Sequence, residues 1–112
     1  MAHKIAIASS DGNYIDMHFA QAYQYYIYEV EDKNYIFLEV RKIEVGNGHD
    51  ENEFARILDC LKDCAALVVS RVGIGAAKYI AQSGKKIFEA PYSIKTVLEK
   101  FVVKQILKQN DK

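Results

Sequence analysis

Apolar and polar positions along the chain predict five short strands and three helices. The strands, rich in β-branched and aromatic residues, are expected at residues 4–8, 25–30, 35–40, 66–70 and 86–89. The run at 66–70 is apolar throughout, which is typical of a strand buried on both faces. In the third strand Ile36, Leu38 and Val40 alternate on one face, and the charges between them suit a sheet edge. The alternation changes parity further on, which predicts a bulge near residues 41–42.

Three helices are expected, and the first has the apolar spacing of an amphipathic helix. The first begins with Asp50 as a candidate N-cap, and its apolar stripe comprises Phe54, Ile57, Leu58 and Leu61. The second covers about residues 76–83 and ends at Gly84, and the third is capped by Ser93. The resulting order β-β-β-α-β-α-β-α predicts an α/β fold, a mixed five-stranded sheet flanked by helices. The sequence leaves open whether the first two helices share a face of that sheet.

A long loop follows the first strand and extends to about residue 24. It shows no clean period of 2 or 3.6, and loops of this length in a compact domain are usually functional or disordered. Tyr14, Ile15, Met17 and Phe19 are expected to fold it back onto the body of the domain. His18 lies among these apolar residues, and imidazole binds metals and titrates near neutrality. His18 is therefore either a ligand-binding group or an ordinary hydrogen-bonded loop histidine.

Residues 71–76, Arg-Val-Gly-Ile-Gly-Ala, link the buried fourth strand to the second helix. Free backbone N–H groups at a helix N-terminus favour an anion, glycines permit close approach, and Arg71 adds positive charge. The segment is not a Walker A motif, because the glycine spacing and the Lys-Ser/Thr pair are missing; such a turn can also serve helix packing alone. If the first and fourth strands are parallel neighbours, this turn and the first loop meet at one sheet end, where ligands bind in open α/β sheets.

Three further residues are weaker candidates for metal binding. His49 stands at the start of the first helix, where it could equally belong to a capping turn. Cys60 and Cys64 are four residues apart, so we expect their side chains to share a helix face. Two thiolates are too few for a four-thiolate iron–sulfur site, and no second pair with zinc spacing exists. The alternative is a pair of structural thiols, and the cysteines could assist a site only if their helix reaches it.

The composition argues against two classes of protein, general nucleic-acid-binding proteins and membrane-spanning proteins. The chain has 112 residues, of which 50% are hydrophobic, and its formal net charge is zero. We expect one domain over residues 1–108, with a frayed tail at 109–112. Zero net charge argues against a general nucleic-acid-binding protein, and no apolar run approaches the roughly 20 residues of a membrane span. With no visible signal peptide and only two cysteines, a cytoplasmic location is expected.

Motifs for enzymatic activity are weak. Asp11 and Asp16 could suggest a two-metal nuclease, but such a site needs several converging acidic residues, and the fourth strand ends in Ser70 and Arg71. Asp11 with the following glycine is typical of a turn. No nucleophile elbow, Ser-His-Asp order or Cys-x-x-Cys redox motif is evident. We therefore expect a binding protein rather than an enzyme.

Together these motifs resemble the dinitrogenase iron–molybdenum cofactor biosynthesis family, whose domain of NifX type also forms the C-terminal domain of NifB. The Ser-Asp-Gly turn at 10–12, the Asp-Met-His-Phe loop at 16–19 and the turn at 71–76 occur in the family's order. The Tyr-rich second strand, the Gly-His-Asp segment at 48–50, the fifth strand and the last helix also match. The resemblance covers nearly the whole chain, with one departure: Ala20 stands where the family usually has glycine.

The resemblance implies a ribonuclease H-like fold without nuclease activity, and a role as a carrier or chaperone. Its cargo would be an iron–sulfur or iron–molybdenum cluster, or a molybdenum–copper sulfide cluster as in a related small protein, exchanged with a cofactor-assembly or acceptor protein. His18 would be the cluster ligand, and the residues contacting the anionic cluster would be Ser10, Asp11, Phe19, Arg71, Gly73 and Gly75. A carrier releases its cargo, so a cluster-free form is also expected. The alternative is a metal-free module of the same fold that binds a small anion or a protein partner.

Overall fold

The structure is a computed structural model that describes residues 2–45 and 51–104. Its elements follow the predicted order, and their bounds lie within two residues of the predicted ones. The strands are β1 (His3–Ala8), β2 (Gln24–Val30), β3 (Tyr35–Lys42), β4 (Ala66–Val69) and β5 (Lys86–Glu89), and the helices are α1 (Glu51–Cys60), α2 (Ile74–Gln82) and α3 (Ile94–Lys104). Asp50, His49 and the tail from residue 105 lie outside the described residues, so the N-cap and the frayed tail stay predictions.

The five strands form one mixed sheet in the order β3-β2-β1-β4-β5. The strands β1, β2 and β3 are antiparallel neighbours, whereas β4 is parallel to both β1 and β5. This is the ribonuclease H-like arrangement that the resemblance implied, and the charged strand β3 lies at an edge as predicted. Because β1 and β4 are parallel neighbours, the segments that follow them leave the sheet at the same end.

Each face of the sheet carries its own core. Alternate residues of a strand point to opposite faces: Ala6 and Ala8 join the core beneath α1 and α2, whereas Ile5 and Ile7 join the core beneath α3. The helices α1 and α2 therefore share a face, which the sequence left open. A fully buried large apolar side chain contributes about 1.5–3 kcal/mol, so burial on both faces fixes the two central strands that lead into the loops at this end of the sheet.

The bulge in β3 is not where the sequence placed it. Two consecutive residues of β2 pair with Phe37 and Glu39, so Leu38 is the extra residue. The prediction of a bulge after Val40 is wrong, and so is the prediction that Ile36 and Val40 share a face, because an inserted residue reverses the alternation. Residues 36–40 are all exposed, so the apolar alternation of this edge strand carried no information about burial.

The apolar face predicted for α1, the end predicted for α2 and the cap predicted for α3 are confirmed. The apolar stripe predicted for α1 is buried against the sheet. Gly84 has a φ of 88° just after α2, as a C′ glycine does. The hydroxyl of Ser93 accepts a hydrogen bond from the Thr96 N–H at 3.1 Å and so caps α3. Among the described residues, no helix is long and apolar enough to cross a membrane.

Gly12 is the glycine that the first loop requires. Its φ is +80°, and a Cβ atom at this position would lie 2.9 Å from atoms of the Tyr26 side chain. Gly12→Ala is expected to lower the free energy of unfolding by about 1–3 kcal/mol, because left-handed backbone strain and overpacking add. Urea denaturation followed by circular dichroism measures the change.

Gly75→Ala is the matched control for this substitution. Gly75 lies in α2, and nothing lies within 4 Å of a Cβ atom built there. Alanine is favoured over glycine in a helix by about 0.8–1.0 kcal/mol, so this variant should be at least as stable as the parent protein. Equal stability of the two variants would contradict the strained conformation of Gly12.

Candidate functional site

The first loop crosses the end of the sheet and is held down by buried apolar side chains. Ile15 joins the core beneath α3, whereas Met17 and Phe19 join the core beneath α1 and α2. These three residues are buried as predicted, but Tyr14 is 59% exposed. Phe19 packs against Phe54 of α1, with ring centroids 5.9 Å apart, and begins a short 3-10 turn. The loop is therefore anchored on both faces of the sheet.

Two backbone hydrogen bonds place His18 beside Arg71. The carbonyl of Met17 accepts from the Ser70 N–H at 3.0 Å, and the Phe19 N–H donates to the carbonyl of Arg71 at 3.0 Å. Residues 17–19 thus continue the sheet parallel to the end of β4, with His18 and Arg71 paired. The loop and the turn that the sequence placed at one sheet end do meet there.

A cavity of about 510 Å³ opens where the loop and the turn meet. Its volume lies in the range of pockets that hold small ligands, about 300–1,000 Å³. The lining residues are His18, Phe19, Ala20, Gln21, Phe54, Arg71, Val72, Gly73, Ile74, Gly75 and Ala76. Five of the predicted site residues are therefore brought together here: His18, Phe19, Arg71, Gly73 and Gly75.

The polar groups of the cavity favour a negatively charged ligand. The side chains of His18 and Arg71 are exposed and form no hydrogen bond or ion pair with another described residue. At the start of α2, Gly73 has no side chain to cap the first-turn N–H groups. These groups and the helix dipole attract negative charge, and no carboxylate lines the cavity among the described residues.

The two glycines of the turn are not required by the fold. Gly73 has an ordinary extended conformation, with φ −71° and ψ 161°. Nothing lies within 4 Å of a Cβ atom built at Gly73 or at Gly75. Their effect is to leave the cavity wall bare, so that a ligand can approach the backbone N–H groups closely.

Three residues that the sequence did not single out hold the site in place. The hydroxyl of Tyr25 donates to the carbonyl of Phe19 at 3.3 Å, and burial raises the pKa of Tyr25, which keeps it a neutral donor. Gln24 is buried and donates its side-chain amide to a carbonyl of the first loop at 3.0 Å. The carboxylate of Glu89 accepts from the Val72 N–H at 2.8 Å. In sequence these are ordinary strand positions, because their role depends on which loop lies against them.

Ser10 and Asp11 lie in the first half of the loop, outside the lining of the cavity. The Asp11 carboxylate accepts from the Asn13 N–H at 2.8 Å and the Tyr14 N–H at 3.1 Å, and these bonds lower the pKa of Asp11. Ser10 binds the Asp16 carboxylate through its N–H at 2.9 Å and through its hydroxyl. Both residues stabilise the predicted turn, and the structure does not bring them together with His18.

Cys60 and Cys64 do not share a helix face, and the prediction that they do is wrong. The helix α1 ends at Cys60, and Cys64 follows a turn in which its N–H donates to the Leu61 carbonyl at 2.9 Å. Cys60 is exposed and Cys64 is buried. Burial raises the pKa of the Cys64 thiol to about 11. Neither cysteine lines the cavity, and His49 lies outside the described residues.

Comparison with known proteins assigns the chain to a family. The family model for the dinitrogenase iron-molybdenum cofactor matches residues 1–104. The chain belongs to the dinitrogenase iron-molybdenum cofactor family. This match confirms the resemblance seen in the motifs and covers all the elements of the sheet and its helices.

Individual relatives agree with this assignment. The chain is 30% identical to protein NifX of Klebsiella pneumoniae over 88 residues, which covers 79% of this chain and 56% of NifX. It is 32% identical to the FeMo cofactor biosynthesis protein NifB of Azotobacter vinelandii over 75 residues, 62% of this chain and 15% of NifB. The match thus spans about half of NifX and a small part of NifB. A crystal structure from Methanocaldococcus jannaschii, provisionally described as a dinitrogenase, has the same fold at 14% identity, with a TM-score of 0.64 over 94% of this chain and 92% of that one.

The different burial of the two cysteines predicts different reactivity. At pH 8 iodoacetamide is expected to modify Cys60 at least about tenfold faster than Cys64. Only the thiolate reacts, and Cys64 is buried and has a raised pKa. Mass spectrometry of the intact protein over time measures both rates, and Cys60→Ser isolates the slow one. Equal rates in the folded protein would contradict the buried position of Cys64.

Proposed function

We propose that the protein is a non-enzymatic carrier of an anionic metal–sulfur cluster in iron–molybdenum cofactor biosynthesis. The observation that carries this proposal is a single cavity lined by an imidazole, His18, a cation, Arg71, and the uncapped N-terminus of α2. Family membership and the relatives NifX and FeMo cofactor biosynthesis protein NifB support the same process. The cargo would be an iron–sulfur, iron–molybdenum or related sulfide cluster, exchanged with assembly and acceptor proteins.

The cavity suits a preassembled cluster better than a bare metal ion. Among the described residues, His18 is the only histidine, cysteine or carboxylate residue in the lining, and no group of three or more such residues that could hold a metal ion occurs. A bare ion such as zinc takes about three or four protein donors. A cluster brings its own sulfide ligands, so one protein donor and an offset of its negative charge suffice. Arg71 and the α2 N–H groups supply that offset.

The same arrangement suits temporary binding. One imidazole and a set of charge-assisted hydrogen bonds hold the cargo, and both kinds of interaction can be exchanged for those of an acceptor protein. His18 and Arg71 are exposed, so an acceptor can approach the cluster while it is still bound. The loop that carries His18 is anchored by buried Met17 and Phe19 on either side, which keeps the site formed in the cluster-free protein.

Binding of a small metal-free anion is the second candidate function. Arg71 next to the uncapped amides of α2 favours it, because these groups recognise negative charge without a metal. On this alternative His18 would contribute little. The two candidates are therefore separated by comparing the loss of His18 with the loss of Arg71.

Substitution of His18 tests the ligand role. His18→Ala is expected to weaken binding of a copper–thiomolybdate or iron–sulfur cluster at least about tenfold, because among the described residues it removes the only metal-binding side chain of the cavity. Arg71→Ala is expected to cost about 10–100-fold by loss of charge-assisted hydrogen bonds. Anaerobic titration followed by visible absorption measures both, with Cys60→Ser as a control that binds normally.

The probes decide between the two functions. If His18→Ala binds the clusters as the parent protein does while Arg71→Ala does not, the anion-binding alternative replaces the carrier. Sulfate and bare Zn²⁺ are titrated in parallel. Sulfate binding that depends on Arg71 but not on His18 is expected under both proposals, whereas tight binding of bare Zn²⁺ through His18 would contradict the preference for a preassembled cluster.

A side chain added to the bare wall of the cavity tests whether the cluster binds there, without changing the charges of the cavity. Gly75→Val adds a side chain where open space exists, and valine is no worse than glycine in a helix. We expect stability to be unchanged or slightly higher and cluster affinity to fall at least about tenfold, as steric exclusion from a small pocket requires. Ala81→Val, at an exposed position near the other end of α2, is the matched control and should bind normally. Full affinity in Gly75→Val would place the ligand elsewhere.

A further inference from the structure

The edge strand β3 presents an apolar surface to solvent. Ile36, Phe37, Leu38 and Val40 are 52%, 48%, 40% and 36% exposed, and they make up half of the strand. Edge strands are normally covered or shielded by charges, because their free N–H and C=O groups pair readily with other strands. In the part of the chain that the structure describes, no strand pairs with the outer edge of β3.

The charges of β3 do not shield this edge. Arg41 turns back over the α1 face of the sheet, where it donates to Asp63 at 2.8 Å and to the Cys60 carbonyl at 2.9 Å. The carboxylate of Glu39 accepts from the same guanidinium at 2.8 Å. Glu39 and Arg41 are thus held on the α1 face, and the third charge, Lys42, lies exposed at the end of the strand, so the apolar residues between positions 36 and 40 remain uncovered.

Aromatic residues extend the apolar surface on that other face. The ring of Phe37 lies 5.5 Å from the ring of Tyr28 and 6.0 Å from that of Tyr26, measured between centroids. Tyr28 also packs against Tyr35 at 6.2 Å. The helix α3 covers this face over β1 and β4, and the tyrosines remain only half-buried beside it. Aromatic residues with few charges are typical of the centre of a protein–protein interface.

We propose that this surface, β3 with Tyr26, Tyr28 and Tyr35, joins two copies of the chain about a two-fold axis. The net charge of zero means that two copies do not repel each other. A two-fold axis through Val40 sets Glu39 of each copy opposite Arg41 of the other, so these two charges are complementary across the axis, and Lys42 lies opposite Leu38.

A second copy can cover both the apolar side chains of β3 and its free edge. A stable interface buries about 800 Å² per partner, and a fully buried aromatic side chain supplies about 150–250 Å². The four apolar residues of β3 are 36–52% exposed and the three tyrosines are already half-buried, so these side chains supply part of that area, to which pairing of the two β3 edges adds. No residue of β3 lines the cavity at the end of the sheet, so the dimer leaves both cavities open and does not depend on what they bind.

Sedimentation equilibrium of the full chain across the micromolar range tests the proposal. The parent protein is expected to form a concentration-dependent dimer. Phe37→Ser is expected to raise the dimer dissociation constant at least about 30-fold, because truncation of a central aromatic residue removes a binding hot spot. Leu38→Lys, which adds one charge to each copy at the centre of the surface, should do the same and serves if Phe37→Ser fails to fold by circular dichroism.

Ile74→Ser is the matched control. Ile74 is 79% exposed, more than any of the apolar residues of β3, and it lies in the wall of the cavity, which no residue of β3 lines. It should dimerise like the parent protein. A parent protein that stays monomeric throughout the range overturns the proposal. The surface would then be left to another protein or to another part of this chain. A dimer that survives both β3 substitutions overturns the proposal as well.

Discussion

The two hydrogen bonds that join Met17 and Phe19 to the segment after β4 are the interaction on which the site depends. On the loop side they are made by Met17 and Phe19, whose own side chains are buried, so His18 is fixed between two anchors. Moving His18 away from Arg71 would break two hydrogen bonds, about 0.5–1.5 kcal/mol each, and expose two large apolar side chains, about 1.5–3 kcal/mol each. The site is therefore formed before any ligand arrives, which lowers the entropy cost of binding.

The electrostatic character of the site depends on which of its charged groups already have hydrogen-bond partners. The side chain of Arg71 and the first-turn N–H groups of α2 are left without partners among the described residues, whereas the carboxylate of Glu89 accepts a hydrogen bond from the Val72 N–H. Glu89 thereby holds the turn in place but does not line the cavity. A neutral protein thus concentrates positive charge at one position, so the anion binding that we propose rests on local arrangement and not on net charge.

Much of this architecture could be predicted from sequence, and the failures have physical causes. The bounds of β5 and the buried stripe of α1 follow from patterns that burial imposes, and the meeting of His18 with Arg71 follows once β1 and β4 are taken as parallel neighbours. The bulge at Leu38 was missed because an edge strand exposed on both faces carries no burial pattern. Cys60 and Cys64 were misjudged because a helix that ends at Cys60 cannot be distinguished by spacing from one that continues.

The same sheet end can serve opposite kinds of ligand, depending on the residues that follow β1 and β4. A metal-dependent hydrolase needs carboxylates there, because divalent cations are held by converging negative charge. Here β1 is followed by Ser9, whose buried hydroxyl donates to the carbonyl of Tyr14, and β4 is followed by Ser70 and Arg71. With serine and arginine in these positions, the charge of the site is inverted from one that attracts metal cations to one that attracts anions. An imidazole within such a cationic site is better suited to a metal that arrives within an anionic assembly than to a bare cation, which is the physical reason why we propose a sulfide cluster, and not its constituent ions, as the ligand of this cavity.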